Sequence, residues 1–202
     1  MSRPNYERMI KMETRTSCER EHEFALVLTG ISDFDDNILE ALLEAGCDDA
    51  TVSLQHGKVS MDFTRTALSL KDAVVSAIRD VRRAGIGADV LRVDDCNLVT
   101  QAEIGRRSGR SRQVIHQYYL GQRGPGGFPS PVCQISDNAP LWRWCEVAFW
   151  MRRHNMIKEQ DLVDARDLEL INLILDYQHQ LHIAPEEIES LSTELGSITA
   201  KA

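Results

Sequence analysis

The chain has 202 residues, of which 43% are hydrophobic and 27% charged, and its formal net charge is −8. This composition is close to the average of soluble globular proteins and excludes a disordered chain, a collagen-like repeat and a small disulfide-stabilised scaffold. No stretch approaches the roughly 18 consecutive apolar residues that a transmembrane helix requires. The N-terminal residues lack the apolar segment of a secretory signal, so we expect a cytoplasmic protein.

The cysteines and histidines form no recognisable metal or disulfide pattern. Five cysteines are scattered along the chain without a Cys-x-x-Cys pair, which argues against a zinc site and a disulfide framework. His179 and His182 are three residues apart on a predicted helix, but no third ligand lies nearby in the sequence. We therefore expect no metal and no cofactor. No nucleophile and base form a catalytic pattern, so we expect a binding protein and not an enzyme.

The charges are distributed unevenly along the chain. Residues 1–100 hold 12 basic and 18 acidic side chains, residues 101–154 hold 8 and 3, and residues 155–202 hold 3 and 10. The basic middle segment contains no acid between positions 104 and 135. Its cations are all arginines, which suit bidentate contact with phosphate and guanine; the alternative is an ordinary solvated helix face. They are Arg106, Arg107, Arg110, Arg112, Arg123, Arg143, Arg152 and Arg153.

The first half of the chain alternates between strand and helix patterns. Residues 1–22 are polar and aperiodic, which predicts a flexible arm. Residues 23–95 predict the order strand, helix, strand, strand, helix, strand, which is typical of the ferredoxin-like βαββαβ fold of the α+β class. This fold does not specify a function, and the domain could bind a small ligand, a second copy or a partner protein. The predicted strands are 24–29, 51–55, 58–64 and 89–93, with a tight turn at His56-Gly57 and helices that end at Gly46 and Gly85.

Two short helices are predicted after residue 98. Thr100 followed by Glu103 is a capping box that begins the first helix, residues 101–107. A turn that contains a glycine separates it from a second helix at 111–120, and this arrangement is typical of a helix-turn-helix. We expect Ile104, Ile115 and one of Tyr118 and Tyr119 to pack inward, with Gly105 where the helices cross.

The outward positions of the second helix predict a DNA-binding surface. Arginine and glutamine can donate to guanine and adenine edges, and a recognition helix presents its N-terminal residues to the major groove. Arg123 follows in a glycine- and proline-rich segment, residues 121–131, that could be a wing against the DNA backbone or a plain turn. The predicted DNA-binding residues are Arg106, Arg107, Arg110, Ser111, Arg112, Gln113, His116, Gln117 and Arg123.

A third helix is predicted over residues 140–150, and it contains all three tryptophans. Its apolar residues fall on one stripe, so we expect them to close the core of a small domain. The residues of this stripe are Leu141, Trp144, Val147, Ala148 and Met151.

Residues 98–152 resemble the excisionase and prophage-regulator branch of the mercury-resistance-regulator superfamily, whose members are winged helix-turn-helix DNA-binding proteins. The similar features are the segment LVTQAEIGRRSGRSRQVIHQYYLGQRG, the Phe128-Pro-x-Pro131 turn, Trp142 or Trp144 with Glu146-Val147, and Trp150. The resemblance implies a DNA-binding domain at 98–154, recognition by Arg110 through Gln117 and a wing at Arg123. The N-terminal α/β unit is not part of the common excisionase plan.

Residues 155–202 are acidic and helical, and we expect them to be an interaction or dimerisation segment. A helical run at 159–182 carries apolar residues at a spacing of roughly 3.5 residues, and Pro185 begins a last short helix. The long helix either packs on the rest of the chain or pairs with a second subunit. The apolar residues include Val163, Leu168, Leu170, Ile174, Tyr177 and Leu181.

Together these patterns predict a sequence-specific DNA-binding transcriptional regulator that acts as a homodimer on double-stranded DNA, without a membrane association. The alternative is an antitoxin or a similar adaptor, whose α/β domain binds a protein partner and whose DNA binding is autoregulatory. A third interpretation is an arginine-rich helical module that makes only protein contacts.

Overall fold

The computed structural model describes residues 18–135 and 139–196. It confirms the predicted mixed α+β class, with a four-stranded antiparallel sheet followed mainly by helices. The elements in chain order are β1 (Arg20–Thr29), α1 (Asp36–Glu44), β2 (Ala50–Gln55), β3 (Lys58–Ala67), α2 (Leu70–Arg83), β4 (Asp89–Val93), β5 (Leu98–Val99), α3 (Gln101–Ser108), α4 (Arg112–Tyr119), β6 (Trp142–Arg143), α5 (Trp144–Arg153), α6 (Glu159–Ile183) and α7 (Pro185–Glu194).

The four-stranded sheet has the order β2-β3-β1-β4, and all neighbouring strands are antiparallel. Its register places Phe24 opposite Phe63 and Leu26 opposite Met61. Because side chains alternate between the two faces of a strand, these residues share one buried face. The predicted turn at His56 and Gly57 joins β2 to β3, and both residues have positive φ angles of 49° and 74°, as in the primed turns of tight hairpins.

Strand β1 begins at Arg20, four residues earlier than the sequence pattern predicted. Residues 20–22 of the predicted arm are therefore part of the sheet, and residues 1–17 lie outside the described residues. The extension is paired, because His22 lies opposite Arg65 of β3. Arg65 is 8% exposed, and its guanidinium donates to Asp49 and to Asp80 at 2.7 Å each. These partners compensate for the burial of its charge.

Helices α1, α2 and α6 cover the buried face of the sheet. Leu42 of α1 and Val74 of α2 lie in the same apolar cluster as the strand residues, and so do Leu168 and Leu175 of α6. Of the two alternatives for the long C-terminal helix, packing on its own chain is therefore realised on one of its faces. Ser69 caps α2 as predicted, because its hydroxyl accepts the Asp72 N–H at 3.1 Å.

A second apolar core lies between α3, α4, α5 and the short strands. It is built around Trp142, Ile104 and Ile115, each 0% exposed. The predicted third helix begins at Trp144 rather than at residue 140, because the preceding residues pair as a strand, with Trp142 opposite Val99.

The described parts of the chain include no helix that has both the length and the apolar character of a membrane span.

Candidate nucleic-acid interface

Helices α3 and α4 are joined by a sharp turn that the sequence specifies at two glycines. Gly109 ends α3 in the left-handed conformation, with φ of 65°, where glycine carries no steric penalty. Gly105 lies where the helices meet, since a Cβ there would be 2.6 Å from the Arg110 carbonyl oxygen and 3.3 Å from the Arg112 nitrogen. Ile104, Ile115 and Tyr118 pack inward as expected, whereas Tyr119 is 40% exposed. The N-terminus of α4 is therefore held in one position against α3.

The N-terminal half of α4 presents its polar side chains to solvent. The Ser111 hydroxyl caps the helix by accepting the Val114 N–H at 3.3 Å. Arg112, Gln113 and His116 are exposed, and Gln117 is half-buried. Positions 112, 113 and 116 are neighbours on one face of a helix. Four of the predicted DNA-binding residues, Ser111 among them, thus lie together on an accessible surface.

Arg107 belongs to the interior of the protein. Its side chain is 12% exposed and forms ion pairs with Glu103, at 2.8 Å, and with Asp95. Its guanidinium also lies over the ring of Trp144, 5.3 Å from the centroid. Arg107 therefore joins α3 to the end of the α/β unit and to α5, and it is not available to a ligand in this arrangement.

Arg106 and Arg110 have internal partners as well. Arg106 donates to both carboxylate oxygens of Glu103, at 2.9 and 2.6 Å, but 73% of its side chain is exposed. Arg110 donates to the Ser108 carbonyl oxygen at 2.7 Å and to that of Met156 at 3.3 Å. Arg110 is half-buried, so its main contact is with the backbone that surrounds the turn.

Glu103 organises the arginines of α3. The Thr100 hydroxyl accepts the Glu103 N–H at 3.2 Å, as the capping pattern predicted. The Glu103 carboxylate does not complete a reciprocal capping box but accepts from the arginines that follow it on α3. Hydrogen bonds from Arg106 and then Arg107 lower the pKa of Glu103 to about 2. At neutral pH this carboxylate is charged and offsets part of the positive charge of α3.

The free cationic surface is therefore smaller than the number of arginines in the middle segment suggests. Arg143 pairs with Glu169 at 2.8 Å and Arg152 with Glu159 at 2.5 Å, while Arg153 lies over the ring of Phe149. Within the described ranges, Arg112 and Arg123 form no ion pair. Both are exposed.

The glycine- and proline-rich segment after α4 is fixed to the second core by two tryptophans. The indole N–H of Trp150 donates to the Gly126 carbonyl oxygen at 2.9 Å, and that of Trp142 to the Pro129 carbonyl oxygen at 3.0 Å. Gly124 packs against the ring of Tyr118, where a Cβ would approach to 2.9 Å. The segment thus supports the C-terminal end of α4, and it holds Arg123 on the surface beside it.

A short antiparallel pairing beyond this segment was not predicted. The Val132 N–H donates to the Leu141 carbonyl oxygen at 2.8 Å, and the Leu141 N–H donates to that of Cys133 at 3.0 Å. The next residues, β6, pair with β5. The signal in the sequence was weak, because the pairing is a single bridge between Cys133 and Leu141.

A groove of about 600 Å³ separates this pairing from α4. Arg112, His116 and Tyr119 of α4 line one side. Gln134 and Ile135, which are exposed and follow the paired residue Cys133, line the other. Sequence reasoning missed Tyr119, Gln134 and Ile135 as surface residues of this region, because their proximity depends on the unpredicted pairing.

No cluster of three or more histidine, cysteine or acidic side chains that could hold a metal ion occurs in residues 18–135 and 139–196. Comparison of the chain with protein-family models, with curated proteins and with solved structures finds no match.

Proposed function

We propose that the chain is a sequence-specific DNA-binding transcriptional regulator and that α4 is its recognition helix. The observation that carries this proposal is the exposed face of Arg112, Gln113 and His116 at the N-terminus of α4, in a stretch without acidic residues from 104 to 135. A helix N-terminus attracts phosphate through its free N–H groups and dipole. Glutamine and arginine side chains beside it can donate to adenine and guanine edges.

The proposal takes α3, the turn at Gly109 and α4 as a helix-turn-helix of the excisionase-like type. The close approach at Gly105 and the inward Ile115 support this interpretation. It also takes the N-terminal unit as ferredoxin-like, which is supported by the element order and by the strand order β2-β3-β1-β4. Arg123 keeps its proposed phosphate contact, and the arm that carries Gln134 and Ile135 is a second element that can flank the DNA.

Arg107 and Arg110 are left out of the proposed interface, because their guanidinium groups already have internal partners. Arg106 remains in it, since an exposed ion pair such as Arg106–Glu103 contributes little and a phosphate can compete for the guanidinium. Two arginines, Arg106 and Arg123, then contact phosphate in each copy, while Arg112 and Gln113 contact base edges. Counterion release by two contacts gives a slope of about −2 per copy for log K against log salt concentration, with base discrimination of about 1–3 kcal/mol from each well-placed side chain.

A mobility-shift titration over a salt series tests the proposal, with the DNA upstream of the protein's own coding region and an unrelated duplex. We expect Gln113→Ala to reduce the preference for the upstream DNA, and Arg123→Ala to weaken binding to both duplexes and to lower the salt slope. The matched control is Arg79→Ala, an exposed arginine on α2, which should leave both affinities unchanged.

The proposal fails if the chain binds neither duplex at low salt, or if the α4 variant and the α2 control behave alike. A protein that co-purifies with the chain in the absence of DNA binding would favour the antitoxin or adaptor interpretation instead.

A further inference from the structure

We propose that two copies of the chain associate through the outward face of α6, with the two helices crossing at Tyr177. The inference deepens the proposed function, because helix-turn-helix dimers contact two half-sites of DNA. The surface itself is argued from α6 without reference to DNA.

Helix α6 is apolar on two opposite sides. Ala165, Leu168 and Leu175 on one side are 5%, 8% and 4% exposed and pack within the chain. An apolar side of a helix is normally buried against another element. The second apolar side of α6 has no such partner within the described ranges. From Leu170 onward its exposed apolar residues are Leu170 (46%), Leu173 (62%), Ile174 (55%), Tyr177 (56%) and Leu181 (38%).

The exposed apolar area is large for a monomer. The five side chains together present on the order of 500 Å², near the upper end of the largest apolar patch on a typical monomer. Leu191 and Leu195 of α7 are also exposed, at 55% and 84%. A stable protein–protein interface takes roughly 800 Å² from each partner, so the stripe on α6 alone supplies more than half of one partner's share.

The absence of charge on the outward face favours a second copy as the occupant. From Leu170 to Ala184, the outward positions 170, 173, 174, 177, 180, 181 and 184 carry no charged side chain. Two such stripes can pair without like-charge repulsion. A basic partner would need acidic side chains on the stripe. The acidic side chains near it, such as Asp176, lie only at its margin.

The centre of the uncharged stripe sets the crossing point. Tyr177 lies midway between Leu170 and Ala184, so two helices that cross there bury the largest share of the stripe. Tyr177 of each copy then lies against its own counterpart.

The mass of the full chain in solution tests the interface. Without DNA, at micromolar concentration, light scattering should give twice the mass of one chain. The double variant Leu173→Glu, Ile174→Glu should have a dimer dissociation constant at least about 100-fold higher than that of the wild-type chain. Leu43→Glu is the matched control, because Leu43 of α1 is 59% exposed and lies outside the stripe. Circular dichroism melts establish that the variants are folded.

Disulfide trapping tests the crossing point, in a chain whose exposed Cys18, Cys96 and Cys133 are replaced by serine. Tyr177→Cys should form a disulfide-linked dimer on mild oxidation, and Leu43→Cys on α1 should not. A monomeric wild-type chain, or a dimer that the Leu173 and Ile174 changes leave intact, overturns the interface; equal trapping at positions 43 and 177 overturns the crossing at Tyr177.

Failure of this inference can be distinguished from failure of the proposed function. Gln113→Ala should remain a dimer, since Gln113 is on α4. A dimer that binds no DNA contradicts only the proposed function, and a monomer that binds the upstream DNA contradicts only the α6 interface.

Discussion

The side-chain amide of Asn172 pairs with both backbone polar groups of Val93. Its Oδ1 accepts the Val93 N–H at 2.8 Å, and its Nδ2 donates to the carbonyl oxygens of Val93 at 3.2 Å and Asp95 at 3.0 Å. Asn172 is 0% exposed and β4 is an edge strand. This residue of α6 thus gives the end of β4 the hydrogen bonds that a further strand would supply.

Asn172→Leu should destabilise the protein by about 1–3 kcal/mol, because it leaves the buried Val93 N–H without an acceptor. The carbonyl oxygens of Val93 and Asp95 keep only the longer contacts from Arg92, at 3.4 Å each. The change in free energy of unfolding is measured by urea denaturation. Asn37→Leu is the control, since Asn37 is exposed on α1 and its replacement should cost no more than about 0.5 kcal/mol. Equal losses for the two variants would contradict the assigned role of Asn172.

Gly105→Ala should destabilise the protein by about 1–3 kcal/mol, because the added Cβ meets the Arg110 carbonyl oxygen at 2.6 Å. Helix propensity alone predicts the opposite sign, a gain of about 1 kcal/mol. Thermal or urea unfolding decides between them. Ala102→Gly on the exposed face of the same helix serves as the reference for propensity, and a stabilised Gly105→Ala variant would show that α3 and α4 are further apart.

Glu103→Gln should make the free energy of unfolding less dependent on pH in the acidic range. The pKa of Glu103 is lowered from 4.5 to about 2 in the folded chain, so its stabilisation is present above pH 4.5 and is lost as the pH falls towards 2. At neutral pH the free energy of unfolding of the wild-type chain should exceed that of the variant by about 1 kcal/mol. The difference is small because the pair with Arg106 is largely exposed. Urea unfolding across this pH range should show the difference shrinking. Glu40→Gln on α1 should show no such trend.

The five cysteines should divide into two groups by reactivity. Burial raises the pKa of Cys47 to about 11 and that of Cys145 to about 12, and the thiolate is the reactive form. Iodoacetamide at neutral pH should therefore modify the exposed Cys18, Cys96 and Cys133 at least about 100-fold faster than the other two. Mass spectrometry of the native and the unfolded chain measures the rates. Similar native rates for Cys96 and Cys145 would contradict the burial of Cys145.

The parts of the fold that depend on neighbouring residues were predicted from the sequence. The turn at His56-Gly57, the cap at Ser69 and the bounds of β4 follow from signals within a few positions. The start of the third helix was wrong, because β6 is two residues long and forms only by pairing with the distant β5. For β1, the buried phase continues through His22 opposite Arg65, but both residues are polar and gave no hydrophobic signal.

The sequence predicted where the candidate site lies but not which of its arginines are free of internal partners. The helical spacing indicated that Arg112, Gln113 and His116 face outward, as they do, whereas Arg110 and Gln117 are half-buried. The availability of each arginine depends on partners that are close only in the folded chain. Arg107 meets Asp95 of the preceding connection, and Arg110 meets the backbone of Met156. Neither contact leaves a pattern in the sequence, so a count of arginines overstated the free cationic surface.

Because α6 packs on the sheet, the α/β unit is built from two separate stretches of the chain. Leu168 and Leu175 complete the core of the sheet, while the module with α3, α4 and α5 occupies the stretch between β4 and α6. Asp95 and Asp161, on either side of that stretch, line the same cavity. The helical module is therefore inserted into the α/β domain. A chain in which a short glycine linker replaces residues 97–158 should still fold as the α/β domain.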